Sequence, residues 1–259
     1  MDKKVILISV DGMRPDGLQS CGNPYVKELE KLCSYTYNAQ TVFPSVTLPC
    51  HFSMAHSVTP QRHGILTNTY VPQVRPVTGI FEKVKNAGGM TALFNSWDQL
   101  RDIVSPGTLS LTAYINYKLH ESGDTALTQQ TISMIETYKP DFAFLFLADT
   151  DNAGHGHGWM SEEYIRRISI AMDNIKQIIA KFGEEYSVII MADHGGHDRT
   201  HGADIPEDMT IPLFFRGEDF VPGKQLTGVS LLDIAPTIAA VMGIAADPDW
   251  EGKSLTESK

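Results

Sequence analysis

The sequence predicts an α/β fold in which helices cover a mostly parallel central sheet. Short apolar runs rich in β-branched residues recur along the chain, and runs apolar at consecutive positions are typical of strands buried on both faces. Amphipathic helical segments lie between these runs, and this alternation favours a parallel sheet. The predicted strands cover residues 5–10, 91–94, 142–147, 188–191 and 211–215.

The clearest predicted helix lies between the strands at 142–147 and 188–191. Apolar residues recur there at three- and four-residue steps from Ile165 to Phe182. Glu162 and Glu163 occupy the first turn, and Gly183 follows as a stop signal. Weaker patterns of the same kind predict helices over residues 25–33, 128–138 and 230–242.

Composition restricts the class of fold and function. The chain has 259 residues, of which 42% are hydrophobic and 20% charged, as is ordinary for a globular protein. Because no repeat or linker-like stretch interrupts it, we expect one domain over residues 1–259. The 31 acidic residues outnumber the 21 basic ones. This excess disfavours binding to nucleic-acid polymers and to anionic membranes.

Two features of the sequence indicate a cytoplasmic protein. The first apolar run is short and Asp11 follows it directly, which is atypical of a signal peptide or a membrane-spanning helix. Cys21, Cys33 and Cys50 are odd in number and irregularly spaced, which favours a reducing compartment over a disulfide framework. The oligomeric state has no signature in the sequence.

Acidic and histidine side chains follow the predicted strands. Asp11 follows the first strand, and Asp149 and Asp151 follow the strand at 142–147. Asp193 and His194 follow the next one. Because the carboxyl ends of parallel strands meet at one edge of a sheet, we expect these side chains to lie close together. Several carboxylates at one edge require a cation to offset their repulsion and burial.

Four of these residues and two nearby histidines form a set of six candidate metal ligands. Asp and neutral His are the usual oxygen and nitrogen donors for Zn²⁺ and related ions, and three of each suit two catalytic ions. Ordinary roles remain open for single residues, since Asp11 could belong to a strand-end turn. We expect a glycine-rich loop over residues 151–158. The candidate ligands are Asp11, Asp151, His155, Asp193, His194 and His201.

Thr47 is the candidate nucleophile. Pro49 follows it by two residues and is tolerated in a first helical turn, so Thr47 is predicted at a helix N-terminus. Backbone amides and the helix dipole favour an anion there, either a phosphate oxygen or the threonine alkoxide. A purely structural role as the N-cap residue is the alternative.

These segments resemble the type I phosphodiesterase and nucleotide pyrophosphatase family of the alkaline phosphatase superfamily. The similarity runs over most of the chain, and its most specific part is the order and spacing of the six ligands and Thr47. It continues through residues 61–65, 206–213, 232–237 and 250–254. The resemblance implies an alkaline phosphatase-like three-layer sandwich. It also implies a single catalytic domain with a variable substrate-side region around residues 66–125.

The resemblance also implies a two-metal site, with Zn²⁺ expected and Mn²⁺ as the alternative. One ion would be held by Asp151, His155 and His201, and the other by Asp11, Asp193, His194 and the Thr47 oxygen. The implied reaction is hydrolysis of phosphodiester or pyrophosphate bonds in a nucleotide-like or other small phosphoester, through a phosphothreonine intermediate.

Four further residues are candidates for substrate binding. Cys50 stands where the family commonly has an asparagine that bonds a phosphoryl oxygen, and a thiol is a weak donor. Packing as a small buried apolar residue is the alternative role for Cys50. Tyr70 and Trp97 are candidates for stacking on a base or aryl group, and His157 for the entrance of the site.

Two other functions remain open. A phosphomonoesterase of the same superfamily would use the same metals and nucleophile, but it would be expected to add an Arg or Lys for the extra phosphate charge. No basic residue adjoins Thr47 in the sequence. A non-catalytic metal-binding protein is the second alternative, and the presence of all seven core positions opposes it.

Overall fold

One mixed sheet organises the protein. The computed structural model describes residues 3–116 and 123–257, and within them seven strands pair in the order β2-β7-β6-β1-β5-β3-β4. Six of these strands run in one direction, and β7 is antiparallel to its two neighbours, β6 and β2. The mostly parallel sheet is therefore confirmed. The strands are β1 (Lys4–Val10), β2 (Ser34–Gln40), β3 (Thr91–Asn95), β4 (Leu111–Tyr114), β5 (Phe142–Leu147), β6 (Tyr186–Met191) and β7 (Thr210–Arg216).

Helices pack on both faces of this sheet. One group is centred on α3, which contacts α4, α5 and α10, and the other is centred on α8, which contacts α1, α2, α6 and α7. The central strands are consequently buried on both faces, and the predicted three-layer sandwich is confirmed. The helices are α1 (Pro15–Ser20), α2 (Tyr25–Leu32), α3 (Thr47–His56), α4 (Pro60–His63), α5 (Ile80–Asn86), α6 (Gly123–Tyr138), α7 (Asp149–His157), α8 (Glu162–Phe182), α9 (Pro206–Met209) and α10 (Ile234–Val241).

The segment after β5 is a helix, where the sequence predicts a glycine-rich loop. Its start is fixed from outside, because the buried carboxylate of Asp124 accepts the N–H groups of Ala148 (2.8 Å) and Asp149 (2.9 Å). Asp124 lies at the start of α6, a separate helix. A cap supplied by a distant residue thus offsets the low helix propensity of the glycines in α7.

The carboxyl ends of β1, β5 and β6 meet at one edge of the sheet, as predicted. Their last residues are Val10, Leu147 and Met191, and four of the six candidate ligands follow within four residues of these strand ends: Asp11, Asp151, Asp193 and His194. Residues 66–125, which were expected to form a variable substrate-side region, contribute α5, β3 and β4, and residues 117–122 lie outside the described part. No helix among the described residues has both the length and the apolar character needed to span a bilayer.

Candidate metal centre and nucleophile

The first cluster of candidate ligands is buried beneath the sheet edge. Asp11 comes directly after β1, and Asp193 and His194 follow β6. The His194 Nε2 atom lies 3.3 Å from Asp11 Oδ1 and 3.3 Å from Asp193 Oδ2. The side chains of Asp193 and His194 are fully buried. We call these three residues the buried cluster.

Thr47 lies against the buried cluster. It is the first residue of α3, and Val46 precedes the helix as its N-cap position, so the N-cap alternative for Thr47 is wrong. The Thr47 Oγ1 atom is 3.3 Å from His194 Nε2. One turn further along α3, the buried His51 ring holds Nδ1 2.8 Å from the Thr47 carbonyl. The hydroxyl is therefore fixed next to a ligand nitrogen.

The second cluster reaches the solvent through one of its three side chains, that of His155. Asp151 and His155 lie one turn apart on α7, and His201 comes from the segment between β6 and α9. Asp151 Oδ2 is 3.5 Å from His155 Nε2, and Asp151 Oδ1 is 3.8 Å from His201 Nε2. The His155 side chain is 45% exposed, in contrast to every member of the buried cluster. We call Asp151, His155 and His201 the open cluster.

The three ligand histidines are oriented in the same way. Each Nδ1 atom lies at hydrogen-bond distance from a backbone carbonyl: His155 at 3.0 Å from Arg199, and His194 at 2.7 Å from Gly195. His201 Nδ1 is 2.9 Å from the Ser45 carbonyl. A carbonyl only accepts, so the proton is assigned to Nδ1 and the Nε2 lone pair is left for a cation.

The carboxylates of the two clusters fit a bound cation. Asp11 Oδ1, Asp151 Oδ1 and Asp193 Oδ2 are buried oxygens without a hydrogen-bond donor. Such oxygens cost free energy unless a proton or a cation compensates them. With the three free Nε2 atoms they form the N and O donor set that divalent transition ions prefer, so the residues fit two metals.

Electrostatics at the clusters indicate the same need. Burial, followed by the neighbouring Asp193 carboxylate, raises the pKa of Asp11 well above its usual range. Burial also raises the pKa of Asp151 to about 6. Burial acts to raise the pKa of Asp193 too, but His194 and His51 outweigh it and hold this pKa below its ordinary value. Burial lowers the pKa of His201 to about 4, which keeps the ring neutral and able to bind a metal.

The two clusters adjoin each other. The rings of His194 and His201 stack with centroids 3.9 Å apart. Gly12 lies between the clusters and donates its N–H to Asp193 Oδ1 at 3.1 Å. Its φ of +67° favours glycine, and a Cβ there would lie only 3.1 Å from Asp151 Oδ1. Glycine is therefore required for the close approach of both clusters.

A cleft of about 170 Å³ is lined by Thr47 and by four of the six candidate metal ligands. Trp97, a predicted substrate-binding residue, lines it. Asn68 lines it as well, and sequence reasoning missed this residue because it follows no strand and belongs to no predicted motif. The Asn68 Oδ1 atom accepts the N–H of Leu48 at 2.9 Å, which leaves the amide nitrogen as a donor. The lining residues are Asp11, Thr47, Asn68, Trp97, Ala148, Asp151, Asn152, His155 and His201.

Three predicted substrate-binding residues do not line this cleft. Cys50 is fully buried and its thiol accepts from the Thr41 hydroxyl at 3.3 Å, so the packing alternative describes it. Tyr70 is 42% exposed and lies beside Phe52. His157 is exposed at the last position of α7, two residues beyond the candidate ligand His155.

Comparison with known proteins gives a family context for this site. The model of the family described as type I phosphodiesterase / nucleotide pyrophosphatase matches residues 5–98 and 95–209. Those ranges include Thr47 and all six candidate metal ligands.

Curated relatives share part of their length with this chain. Ectonucleotide pyrophosphatase/phosphodiesterase family member 1 of Rattus norvegicus is 26% identical over 220 residues, covering 73% of this chain and 24% of the relative. Bis(5'-adenosyl)-triphosphatase of Mus musculus is 26% identical over 213 residues, covering 74% of this chain and 47% of the relative. The chain thus spans less than half the length of either relative.

Solved structures share the fold. Murine ectonucleotide pyrophosphatase/phosphodiesterase 5, as an inactive variant in complex with AMP, superposes with a TM-score of 0.81 at 14% identity, covering 95% of this chain and 96% of that one. Phosphonate monoester hydrolase from Silicibacter pomeroyi gives a TM-score of 0.76 at 15% identity, covering 98% and 76%. The fold is accordingly alkaline phosphatase-like. Since the family model spans most of the sequence and all seven core positions, the chain belongs to the type I phosphodiesterase / nucleotide pyrophosphatase family.

Proposed function

We propose that this protein is a metal-dependent hydrolase of phosphodiester or pyrophosphate bonds in small, nucleotide-like substrates, with Thr47 as the nucleophile. One observation carries the proposal: the Thr47 hydroxyl lies at the floor of the cleft, 3.3 Å from the Nε2 atom of a candidate metal ligand, His194. Family membership supports the class of reaction.

The two clusters would hold one divalent cation each, with the Thr47 oxygen as a further ligand beside the buried cluster. When bound, such cations supply a lowered pKa for the threonine hydroxyl, neutralisation of phosphoryl charge and activation of water. We favour Zn²⁺, because neutral imidazole and carboxylate donors in small clusters are typical of its sites, and Mn²⁺ is the alternative.

The residues of the chain position both steps of the reaction. Thr47 Oγ1 attacks phosphorus and the bond to the leaving group breaks on the opposite side, which gives phosphothreonine. Water then attacks phosphorus from the vacated side and releases Thr47, so two inversions leave the configuration retained. The Asn68 amide, with its oxygen engaged by Leu48, is placed to donate to a non-bridging phosphoryl oxygen.

The charge of the cleft favours a diester over a monoester. Its lining residues, as far as residues 3–116 and 123–257 are concerned, include no Arg or Lys. A phosphomonoester carries an additional negative charge, which such a side chain would be expected to offset. Trp97 offers an aromatic face for a base, and the adenosine-containing compounds in the relatives' names support a nucleotide-like substrate.

Replacement of the nucleophile tests the mechanism. Thr47→Ala is expected to lower kcat on a chromogenic phosphodiester by about 10³-fold or more, as removal of a nucleophile does elsewhere, with metal uptake retained. Thr47→Ser is the matched control and keeps a hydroxyl, so it should retain measurable turnover. Full turnover by a metal-loaded Thr47→Ala protein would refute the covalent mechanism.

A paired assay tests the substrate class. The unaltered protein is given phosphodiester and phosphomonoester substrates, with Zn²⁺ and Mn²⁺ supplied separately. A higher kcat/KM for the diester is expected. A clear preference for the monoester would favour the phosphomonoesterase alternative, and bound metal without any turnover would favour the non-catalytic one.

We also propose that the protein acts in the cytoplasm. All three of its cysteines are free thiols, and two of them are buried. Unpaired cysteines are typical of a reducing compartment. Fractionation of the source cells is the test, and recovery of the protein outside the cytoplasm would contradict the proposal.

A further inference from the structure

Trp159 contacts all three segments that carry the candidate metal ligands. It lies two residues after the end of α7, is only 7% exposed, and donates its backbone N–H to the carbonyl of Asp198, in the loop after β6, at 2.8 Å. Its indole Nε1 donates to the Gly12 carbonyl at 3.0 Å, next to Asp11. The sequence gives no signal for this residue, because its partners are distant in the chain.

Two glycines admit the indole between these segments. A Cβ built on Gly154, in α7, would lie 2.7 Å from the Cε2 atom of Trp159. A Cβ built on Gly196, in the loop after β6, would lie 2.2 Å from the same atom. The backbone of both ligand-bearing segments therefore packs directly against the indole ring, without any side chain in between.

The indole also touches the open cluster itself. Its ring centroid is 5.1 Å from that of His155 in an edge-on arrangement and 5.9 Å from that of His201. The Gly12 carbonyl that accepts the indole N–H belongs to the residue whose own N–H donates to Asp193. One side chain thus links two ligands of the open cluster to one ligand of the buried cluster.

We propose that Trp159 is a positioning residue that sets the metal affinity of the open cluster. The indole packs against the His155 and His201 rings and restricts their planes. Its hydrogen bond to the Gly12 carbonyl, which also accepts from the Tyr164 hydroxyl, holds the segment after α7 beside the end of β1. The buried cluster keeps its own contacts among Asp11, Asp193 and His194, so it depends less on Trp159. This inference rests on the proposed two-metal function.

The test measures the Zn²⁺ dissociation constants of the two sites and does not depend on an activity assay. Trp159→Phe removes the indole N–H and part of the ring. It is expected to weaken the weaker of the two Zn²⁺ sites by about 10- to 100-fold, as loss of a residue that orients metal ligands typically does. The tighter site should keep its dissociation constant. Competition with a chromogenic chelator reports both constants.

Trp250→Phe is the matched control. The Trp250 indole donates to the Thr78 carbonyl at 2.9 Å, so the same type of hydrogen bond is lost at a residue outside both clusters. Both Zn²⁺ constants should stay unchanged. Trp159→Tyr, which also lacks the indole N–H, is measured in parallel in case Trp159→Phe does not fold, and the same loss is expected.

The outcomes separate this inference from the proposed function. If the folded Trp159 variants have the same two Zn²⁺ dissociation constants as the unaltered protein, the role of Trp159 is refuted and the two-metal proposal stands. Equal losses in the Trp159 and Trp250 variants would also overturn it, because a general packing defect would then explain both. An unaltered protein that takes up no Zn²⁺ would refute the proposed metal site, and this role with it.

Discussion

The buried and open clusters contain the same kinds of donor in very different surroundings. Both combine aspartate with histidine, and their ligand atoms lie within 4.8 Å of one another in each cluster. The buried cluster has no solvent-facing imidazole, whereas the His155 side chain of the open cluster is 45% exposed. The buried cluster has two aspartates and one histidine, whereas the open cluster has one aspartate and two histidines, so the two sites differ in carboxylate charge as well as in exposure.

The difference implies a division of labour. Charges in a buried site are screened little by water, so the buried cluster should bind its cation tightly and exchange it slowly. This is also the cluster that holds Thr47. The open cluster borders the cleft, where a bound cation would reach substrate and water but would also be more readily lost to solvent.

Removal of metal is expected to give the largest effect among the tests of the difference between the two clusters. A strong chelator should abolish turnover and lower the melting temperature, because it leaves the carboxylates of both clusters uncompensated. Metal content measured over time should fall in two phases of one ion each, with the open cluster emptied first. A single phase, or an unchanged melting temperature, would contradict the difference between the clusters.

Single aspartate substitutions should change the free energy of unfolding by unequal amounts in the two clusters. In metal-free protein, Asp193→Ala removes the acceptor of the buried Gly12 N–H, at a cost of about 1–3 kcal/mol. Asp151→Ala removes a carboxylate oxygen that has no donor, so stability should change by less than about 1 kcal/mol. Urea unfolding at pH 8 measures both. Similar losses in the two variants would refute the comparison.

Acid unfolding of metal-free protein separates loss of fold from loss of metal. Burial lowers the pKa of His56, which lies outside both clusters, from 6.5 to about 4. The unfolded chain takes up this proton first, so the contribution is complete above pH 6.5 and is lost as the pH falls towards 4. It amounts to about 3 kcal/mol.

The matched variant for the pH prediction is His56→Gln, which keeps a donor for the Phe52 carbonyl but does not titrate. Its free energy of unfolding should fall less steeply than that of the unaltered protein between pH 6.5 and 4. Identical slopes for the two proteins would show that other groups dominate the acid sensitivity.

The site was predictable from the sequence where the fold itself brings residues together. Ligands such as Asp11 and Asp193 directly follow strands, so the parallel sheet alone places them at one edge. Asn68 and Trp159 were not predictable in this way. Asn68 reaches the cleft because its loop folds back onto the start of α3, and Trp159 because two remote glycines leave room for it.

The elements missed by the sequence analysis have equally specific causes. β2 lies at the edge of the sheet and contains polar residues, so it lacks the continuous apolar pattern of the central strands. β4 is only four residues long and lies at the opposite edge. In α7 the stabilising cap comes from Asp124, which no local pattern could reveal.

The backbone carbonyls that orient the three histidine ligands have an electronic consequence. A carboxylate partner would push negative charge into an imidazole and make it a stronger electron donor. The carbonyls of Arg199, Gly195 and Ser45 are uncharged and do so less. Cations held by these rings would therefore remain more electrophilic, and would withdraw more electron density from a phosphoryl oxygen at the moment of attack.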